Sequence, residues 1–461
     1  MDIRGEVDTA DFGDQRLSKR LVHLAELLAK APEQSFPKAA TNDAALEATY
    51  RFFGNEAVTP AAILRPHVAA TVSRCAQAAA VLVAHDSTEF RFETERQGLG
   101  RISGDATHGF IGHFALAVSP RDRAPLGVLG MEPVFRERGA RTPGHRERRP
   151  MEDKESRRWL DLVQRVDGEL GGVAEAVHVM DREADAYELL AALCSGNHRF
   201  IVRLQFDRAV DETVGRGKIS DVLRGRRTVL AREVTLSARS PKRREPPGRG
   251  KKHPPRRARS ATLSVTASSV TIRRPSHLGT RVPATLRLNV VRVHEKNAGR
   301  GIEPVEWRLV TSEPIETVED VAAVVDGYRA RWLIEEYFRA LKQGCAYERR
   351  QLESKHALLN ALAVFTPIAW QLLALRQLSR DQADVPADHV LSPLKLTLLQ
   401  RHPDVKLRVR PTLRDAMLAI AKLGGHIKNN GEPGWLVLGR GYEDLLLLER
   451  GAALALGCDQ S

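Results

Sequence analysis

Three observations predict an α/β protein built on a mixed sheet, with a β-rich insertion and helical regions at both ends. Two short, continuous apolar runs, 80–86 and 176–180, have the look of buried central strands, and each is closed by an acid, Asp86 and Asp181. Between about 207 and 300 the chain changes to β-branched, arginine-rich pieces, the composition of an inserted antiparallel region. Before residue 78 and beyond about 376 only helical patterns occur. These boundaries divide the chain into a helical region over 1–78, a mixed-sheet core over 79–375 and a helical region over 376–461.

Taken in order, Asp14 precedes an Arg/Lys/Leu pattern and predicts a first helix; 44–53 and 60–78 follow as two more. Strands are expected at 80–86, 109–118 and 126–135, then a helix over 153–171 and the strand 176–180. Residues 184–194 read as helix and 199–206 as strand. Inside the insertion, 262–272 and 284–293 carry strand composition, and 307–311 returns to strand before a long helix over 318–341. Helical patterns at 356–378, 391–400, 413–423 and 442–456 complete the chain.

The composition is that of an ordinary globular chain of 461 residues, long enough for roughly three domain-sized units. No uninterrupted apolar run approaches the roughly 20 residues of a membrane span. The polar start Met-Asp-Ile-Arg-Gly-Glu is no signal peptide. Cys75, Cys194, Cys345 and Cys458 lack paired metal spacing, so reduced thiols and a cytoplasmic setting are expected. The net charge of +13 is unevenly placed. Residues 239–259 hold ten Lys/Arg against one acid on a Pro/Gly-rich segment, and 136–158 holds nine cations against five acids. Such stretches suit a polyanion through counterion release; a solvated loop is the alternative.

Chemistry concentrates on the helix beginning near Tyr328. At about 100° per residue, Arg331, Glu335, Arg339 and Lys342 fall within roughly 60° of Tyr328. Leu333, Ile334, Tyr337 and Leu341 take the opposite side, and Glu336 lies about 80° off the polar stripe. One carboxylate among cations that can grip phosphate is one reading; a solvated charged face is the other. Asp86, Asp181 and Glu335 together would make an oxygen-ligand cage for Mg²⁺. Two ions about 4 Å apart support in-line phosphoryl transfer.

The spacing of Tyr328, Arg331, Glu335 and Lys342 resembles the Y-(2)-R-(3)-E-(6)-K signature of the insertion-sequence-four family of bacterial DDE transposases. Asp86-Ser-Thr resembles that family's first aspartate motif and Asp181-Arg-Glu-Ala-Asp185 its second. Gly13-Asp-Gln-Arg16 and Tyr50-Arg-Phe-Phe53 resemble its N-terminal DNA-binding region; Ile420–Gly425 and Pro433-Gly-Trp435 resemble its C-terminal association region. The twelve residues ahead of Gly13 are fewer than the resemblance leads one to expect, and the 239–259 loop is longer and more basic.

The resemblance implies an RNase-H-like core and a cut-and-paste transposase, an endonuclease that also performs strand transfer. It implies Asp86, Asp181 and Glu335 as catalytic metal ligands for two Mg²⁺ ions, with Mn²⁺ able to substitute. Tyr328, Arg331 and Lys342, with Arg339 a weaker candidate, would contact phosphates of the transposon end. Trp307 would stack a flipped base, core packing being its alternative. Glu183 and Asp185 are expected to tune charge or cap a helix, and Trp159 to pack. The implied partners are inverted-repeat ends, target DNA and a second copy in a two-end complex, with no membrane. Two other classes stay open: a structure-directed nuclease on the same fold, and a silent or domesticated DNA-binding relative.

Overall fold

The computed structural model describes residues 3–102, 108–135, 156–212, 215–236, 257–299, 302–381, 384–389, 391–427 and 433–455. In chain order come α1 (Gln15–Lys30), α2 (Phe36–Ala39), α3 (Asp43–Gly54) and α4 (Pro60–Cys75), then β1 (Ala80–Phe92), β2 (Gly100–Arg101), β3 (His108–Val118) and β4 (Pro125–Val134). α5 (Arg157–Leu170), β5 (Glu175–Met180), α6 (Tyr187–Ser195) and β6 (Arg199–Arg203) follow. The insertion holds β7 (Ala209–Glu212), β8 (Gly215–Lys218), α7 (Ile219–Arg224), β9 (Leu230–Leu236), β10 (Arg259–Arg273) and β11 (Thr285–Glu295). After β12 (Glu306–Thr311) the described elements are helical: α8 (Val318–Ala330), α9 (Trp332–Arg339), α10 (Lys355–Asp381), α11 (Pro393–Arg401), α12 (Leu413–Leu423) and α13 (Trp435–Ala455).

The chain forms two compact units. The first takes Met1–Pro143, Asp161–Ala176 and Ala330–Ser461; the second takes Gly144–Leu160 and Val177–Arg329.

In the first unit β3 is flanked by β1 on one side and by β2 and β4 on the other, all antiparallel. β1 runs past Asp86, pairing from Leu82↔Val118 to Phe92↔His108. Asp86 therefore sits in mid-strand, opposite Phe114, and not at the strand's end as the apolar run predicts. The continuation Ser-Thr-Glu-Phe-Arg-Phe alternates, burying Phe90 and Phe92 while Arg91 stays exposed. Gly127 allows β4 to approach α4: its φ is +147°, and a Cβ there would lie 1.9 Å from Thr71 Oγ1.

α10 is the core of this unit. It alone among the described helices is long and apolar enough to cross a membrane, and 83% of its most apolar window is buried inside the protein. The helical N-terminus is fastened to it by polar groups. Asn360 donates to the carbonyls of Phe53 and Val58, each at 3.0 Å. Arg350, 2% exposed, donates to the carbonyls of Pro32, Gln34 and Cys345 and stacks 4.5 Å from the Phe365 ring. Burial lowers that guanidinium to about 10.

In the C-terminal helices, glycine permits backbone contact. A Cβ on Gly424 at the end of α12 would lie 1.9 Å from the Val437 carbonyl of α13, and one on Gly441 would lie 1.7 Å from the Ile420 carbonyl. The Gly424 motif thus serves packing within the chain.

The second unit is built on a sheet that is antiparallel apart from β5 and β6, which run parallel in the register Val177↔Arg199. β6 pairs with β12, β12 with β11 and β11 with β10. β9 and β7 pair with opposite ends of β10, and β7 with β8. Arg259, counted with the basic loop on sequence, begins β10 and is ion-paired with buried Glu295. The basic stretches 136–158 and 239–259 otherwise lie almost wholly outside the described residues. Trp159 is 1% exposed and packs.

Candidate active site

The helix expected over 318–341 changes its hydrogen-bond closure twice while its backbone stays helical. α8 stops at Ala330, Arg331 forms a turn, α9 covers only Trp332–Arg339, and 340–344 winds as a π-helix. At the turn the Ile334 amide reaches back to the Arg331 carbonyl at 3.0 Å, a three-residue closure that a uniform 100° wheel does not contain. The Cys345 amide bonds to the Ala340 carbonyl, the five-residue closure of the π turn. The apolar back holds: Leu333, Ile334, Tyr337 and Leu341 are all buried. Trp332 is 53% exposed, with the Arg339 guanidinium 6.0 Å from its ring.

In the first unit, Arg331 draws two of the predicted acids to one point. Its Nη1 donates to Asp86 Oδ2 at 2.7 Å and its Nη2 to Glu335 Oε1 at 3.0 Å. The guanidinium is 10% exposed, against 18% for the Asp86 side chain and 30% for Glu335. The other Asp86 oxygen accepts the Ser87 amide at 2.8 Å. Burial pushes the Glu335 carboxyl above its ordinary value, and the charge of Asp86 pushes the same way against the attraction of Arg331. Both carboxylates thus converge on the Arg331 guanidinium between β1 and α9. Ser87 Oγ lies 2.9 Å from His113 Nδ1, and the His113 ring is 6.0 Å from that of His85.

Lys342 ties the π turn to β1. Its ammonium donates to the Glu89 carbonyl, pairs with Glu348 at 3.6 Å and lies 5.4 Å from the Phe90 ring. Burial lowers its pKa, and Glu348 opposes that shift. Of the predicted phosphate contacts, Arg339 is the most open, its side chain 48% exposed and paired with Glu336 at 2.6 Å.

Glu336 is the residue that sequence reasoning passed over. Lying off the polar stripe and reading as an ordinary helix acid, it is instead 9% exposed and bonded three times. Oε1 accepts from Arg339, while Oε2 accepts from Arg376 at 2.8 Å and from the Trp435 indole at 3.0 Å.

In the second unit Asp181 directly follows β5, and its Oδ1 caps a short 3₁₀ turn by accepting the Glu183 amide at 2.8 Å. Glu183 is exposed and pairs with Arg158 at 3.3 Å. Asp185 is structural: it is 4% exposed, pairs with Arg208, and accepts the amides of Gln205 at 2.7 Å and Phe206 at 2.9 Å. Trp307, opposite Val293 in the β11–β12 ladder, lies 5.7 Å from Tyr328 with the rings tilted by 59°. Tyr328 is 7% exposed.

Residues 3–58 match the transposase DNA-binding family, and residues 78–365 match the transposase DDE domain. The second match spans more than half of the chain. The chain belongs to the DDE-domain transposase family. Asp86, Asp181 and Glu335 all lie within the DDE-domain match, as do Trp307, Tyr328, Arg331, Arg339 and Lys342. The Gly13 and Tyr50 motifs lie in the DNA-binding match. In that region Gly13 adopts φ +74°, Asp14 caps α1 through the Arg16 amide at 2.8 Å, and Phe52 and Phe53 are buried while Tyr50 stays 37% exposed. As a DDE-domain transposase with a DNA-binding domain, the chain has DNA as its partner.

Proposed function

We propose that the chain is a metal-dependent cut-and-paste transposase of the insertion-sequence-four type, with an RNase-H-like core. The observation that carries this reading is the convergence of Asp86 and Glu335 on the Arg331 guanidinium at 2.7 and 3.0 Å. Two hard-oxygen donors that share one cation and remain partly open to solvent fit a divalent ion. By the resemblance, Asp181, one of whose oxygens caps a 3₁₀ turn, would supply the third carboxylate of the set. Divalent ions, Mg²⁺ by this donor set, would supply Lewis-acid stabilisation of the attacking and leaving oxygens.

The protein's own groups then have separable tasks. Asp86 and Glu335 present their carboxylates from a strand and a helix, so neither depends on a mobile loop for its position. Arg331 offsets their charge and, as a planar fork, can also pair with a phosphate. Lys342 stiffens the turn after α9 through Glu89 and Glu348. The proposed course is hydrolysis that frees a 3′-hydroxyl at the element's end, attack of that hydroxyl on the opposite strand, reopening of the hairpin, and joining to target DNA. A homodimer on two paired ends would let each protomer cut the end that the other binds. Closed two-fold pairing is the common route to such a dimer.

Asp86→Ala, Asp181→Ala and Glu335→Ala should each lower cleavage of end DNA by at least a thousandfold while end binding, read by gel shift, stays within about threefold, since phosphate contacts dominate affinity. Wild-type cleavage by any one of them removes that residue from the set. Cutting without inverted-repeat ends and without joining would favour the structure-directed nuclease instead.

A further inference from the structure

We propose that Glu336 is a positioning residue that sets the rotation of the catalytic helix, and that Trp435 and Arg376 make the C-terminal segment part of the active-site frame. The inference rests on the reading of Glu335 as a metal ligand. α9 has only eight residues, and at its two ends the four-residue closure gives way to a three-residue closure at Arg331 and a five-residue closure in the π turn, while the backbone stays helical. Where the closure of a helix changes, its azimuth shifts, and side-chain ties at that point can fix it. A rotation of about 20° would carry a carboxylate at a radius of about 5–6 Å through roughly 2 Å, several times the tolerance of a working site.

The tie is built from three directions. Glu336 Oε2 accepts from Arg376 of α10 at 2.8 Å and from the Trp435 indole at the start of α13 at 3.0 Å. Arg376 also donates to the Pro433 carbonyl at 3.1 Å, and its guanidinium lies 4.6 Å from the Trp435 ring. Glu336, Arg376 and Trp435 are each 9% exposed or less. Close packing does not hold the indole alone: Trp435 and Arg376, with Leu372 and Met417, line a cavity of about 140 Å³. A buried charge bonded in this way contributes little net stability over an apolar replacement, but it specifies one geometry. Consecutive residues on a helix point about 100° apart, so a clamp on Glu336 leaves Glu335 facing Asp86.

The test uses the full chain and Mn²⁺, whose free concentration is read by electron paramagnetic resonance. Glu336→Gln and Trp435→Phe should each weaken Mn²⁺ binding about three- to tenfold. Cleavage at saturating DNA and a fixed, sub-saturating Mn²⁺ concentration should fall at least as far, with the end-DNA Kd unchanged. The double variant should be no worse than Glu336→Gln alone, because both remove the same tie. Leu445→Ala, a cavity in the same C-terminal helices, controls for loss of stability: it should lower Tm without moving Mn²⁺ affinity. The inference is overturned if Glu336→Gln binds Mn²⁺ as wild type does, or if Leu445→Ala shifts Mn²⁺ affinity equally. Glu335→Ala separates the two readings. If it loses Mn²⁺ affinity while Glu336→Gln does not, only the positioning role falls; if it too is unchanged, the metal-ligand reading falls with it.

Discussion

Trp307 shows how a residue's role depends on what its ring faces. On β12 it is half-buried and 5.7 Å from Tyr328, so its indole is supported on one side by another aromatic ring. A supported, partly open indole is suited to stack an extruded base, a contact worth about 1–3 kcal/mol. Trp307→Ala should therefore slow cleavage by roughly ten- to a hundredfold, and Trp307→Phe should recover most of the loss because it keeps a ring. With 2-aminopurine at the end of the element, the alanine variant should lose the quenching that stacking causes. Unchanged rate and fluorescence in Trp307→Ala would leave the residue as packing for Tyr328. Legibility at this scale divides by chemistry. Leu333, Ile334, Tyr337 and Leu341 were readable because burial follows apolar periodicity. Glu336 was not, since its partners Arg376 and Trp435 lie far along the chain and no local pattern announces them.

Elements were legible wherever one face is apolar and the period is regular. β3, β4, β5, β10, β11 and β12 fall within a few residues of their predicted spans for that reason. β1 runs beyond its apolar run, because the alternation that continues it follows an acid, Asp86, that reads as a stop. The change of closure at Arg331 was not legible either, since the backbone there stays helical and no glycine or proline marks the point.

The packing of α4 makes a prediction of its own. His67, fully buried, accepts the Val128 amide on Nε2 at 3.0 Å, so its proton sits on Nδ1, which donates to Glu6 at 2.5 Å. Arg74 also holds Glu6, at 2.8 Å, and its guanidinium lies 4.2 Å from the Trp370 ring beside His67. Burial lowers the His67 pKa below its ordinary 6.5, with Glu6 opposing and Arg74 assisting. For Glu6, burial acts upward, but bonds from His67 and Arg74 outweigh it and bring the pKa below 4.5. Both groups thus bind protons more readily in the unfolded chain. Their contribution to stability is full above those ordinary values and drains as pH falls through the folded ones. Tm should begin to fall below about pH 6.5, and Glu6→Gln should flatten the further loss below about 4.5. A wild-type Tm constant from pH 8 to 5 would contradict the lowered pKa of His67.

At the scale of the molecule, charge decides how DNA is held before any chemistry begins. The chain carries +13 overall, and 239–259 alone contributes +9. The structure removes one of its ten cations from the account: Arg259 is spent on Glu295 within the sheet. Nine remain on a Pro/Gly-rich stretch without an aromatic residue, so it offers neither a stacking platform nor rigid side chains for base edges. Its affinity should be that of phosphate neutralisation, indifferent to sequence. If about five of those cations reach phosphates, replacing all nine with Ser or Gln should flatten the log–log salt slope by about 4 to 5. Binding to end DNA and to random DNA should weaken by similar factors, because each loses the same counterion release. Cleavage at saturating protein should survive, as Asp86, Asp181 and Glu335 lie outside the replaced stretch. Arg259 must be kept in this variant, or loss of the Glu295 pair would destabilise β10 and be mistaken for lost DNA contact. A variant that lost its preference for end DNA at an unchanged salt slope would instead make the loop a reader of sequence.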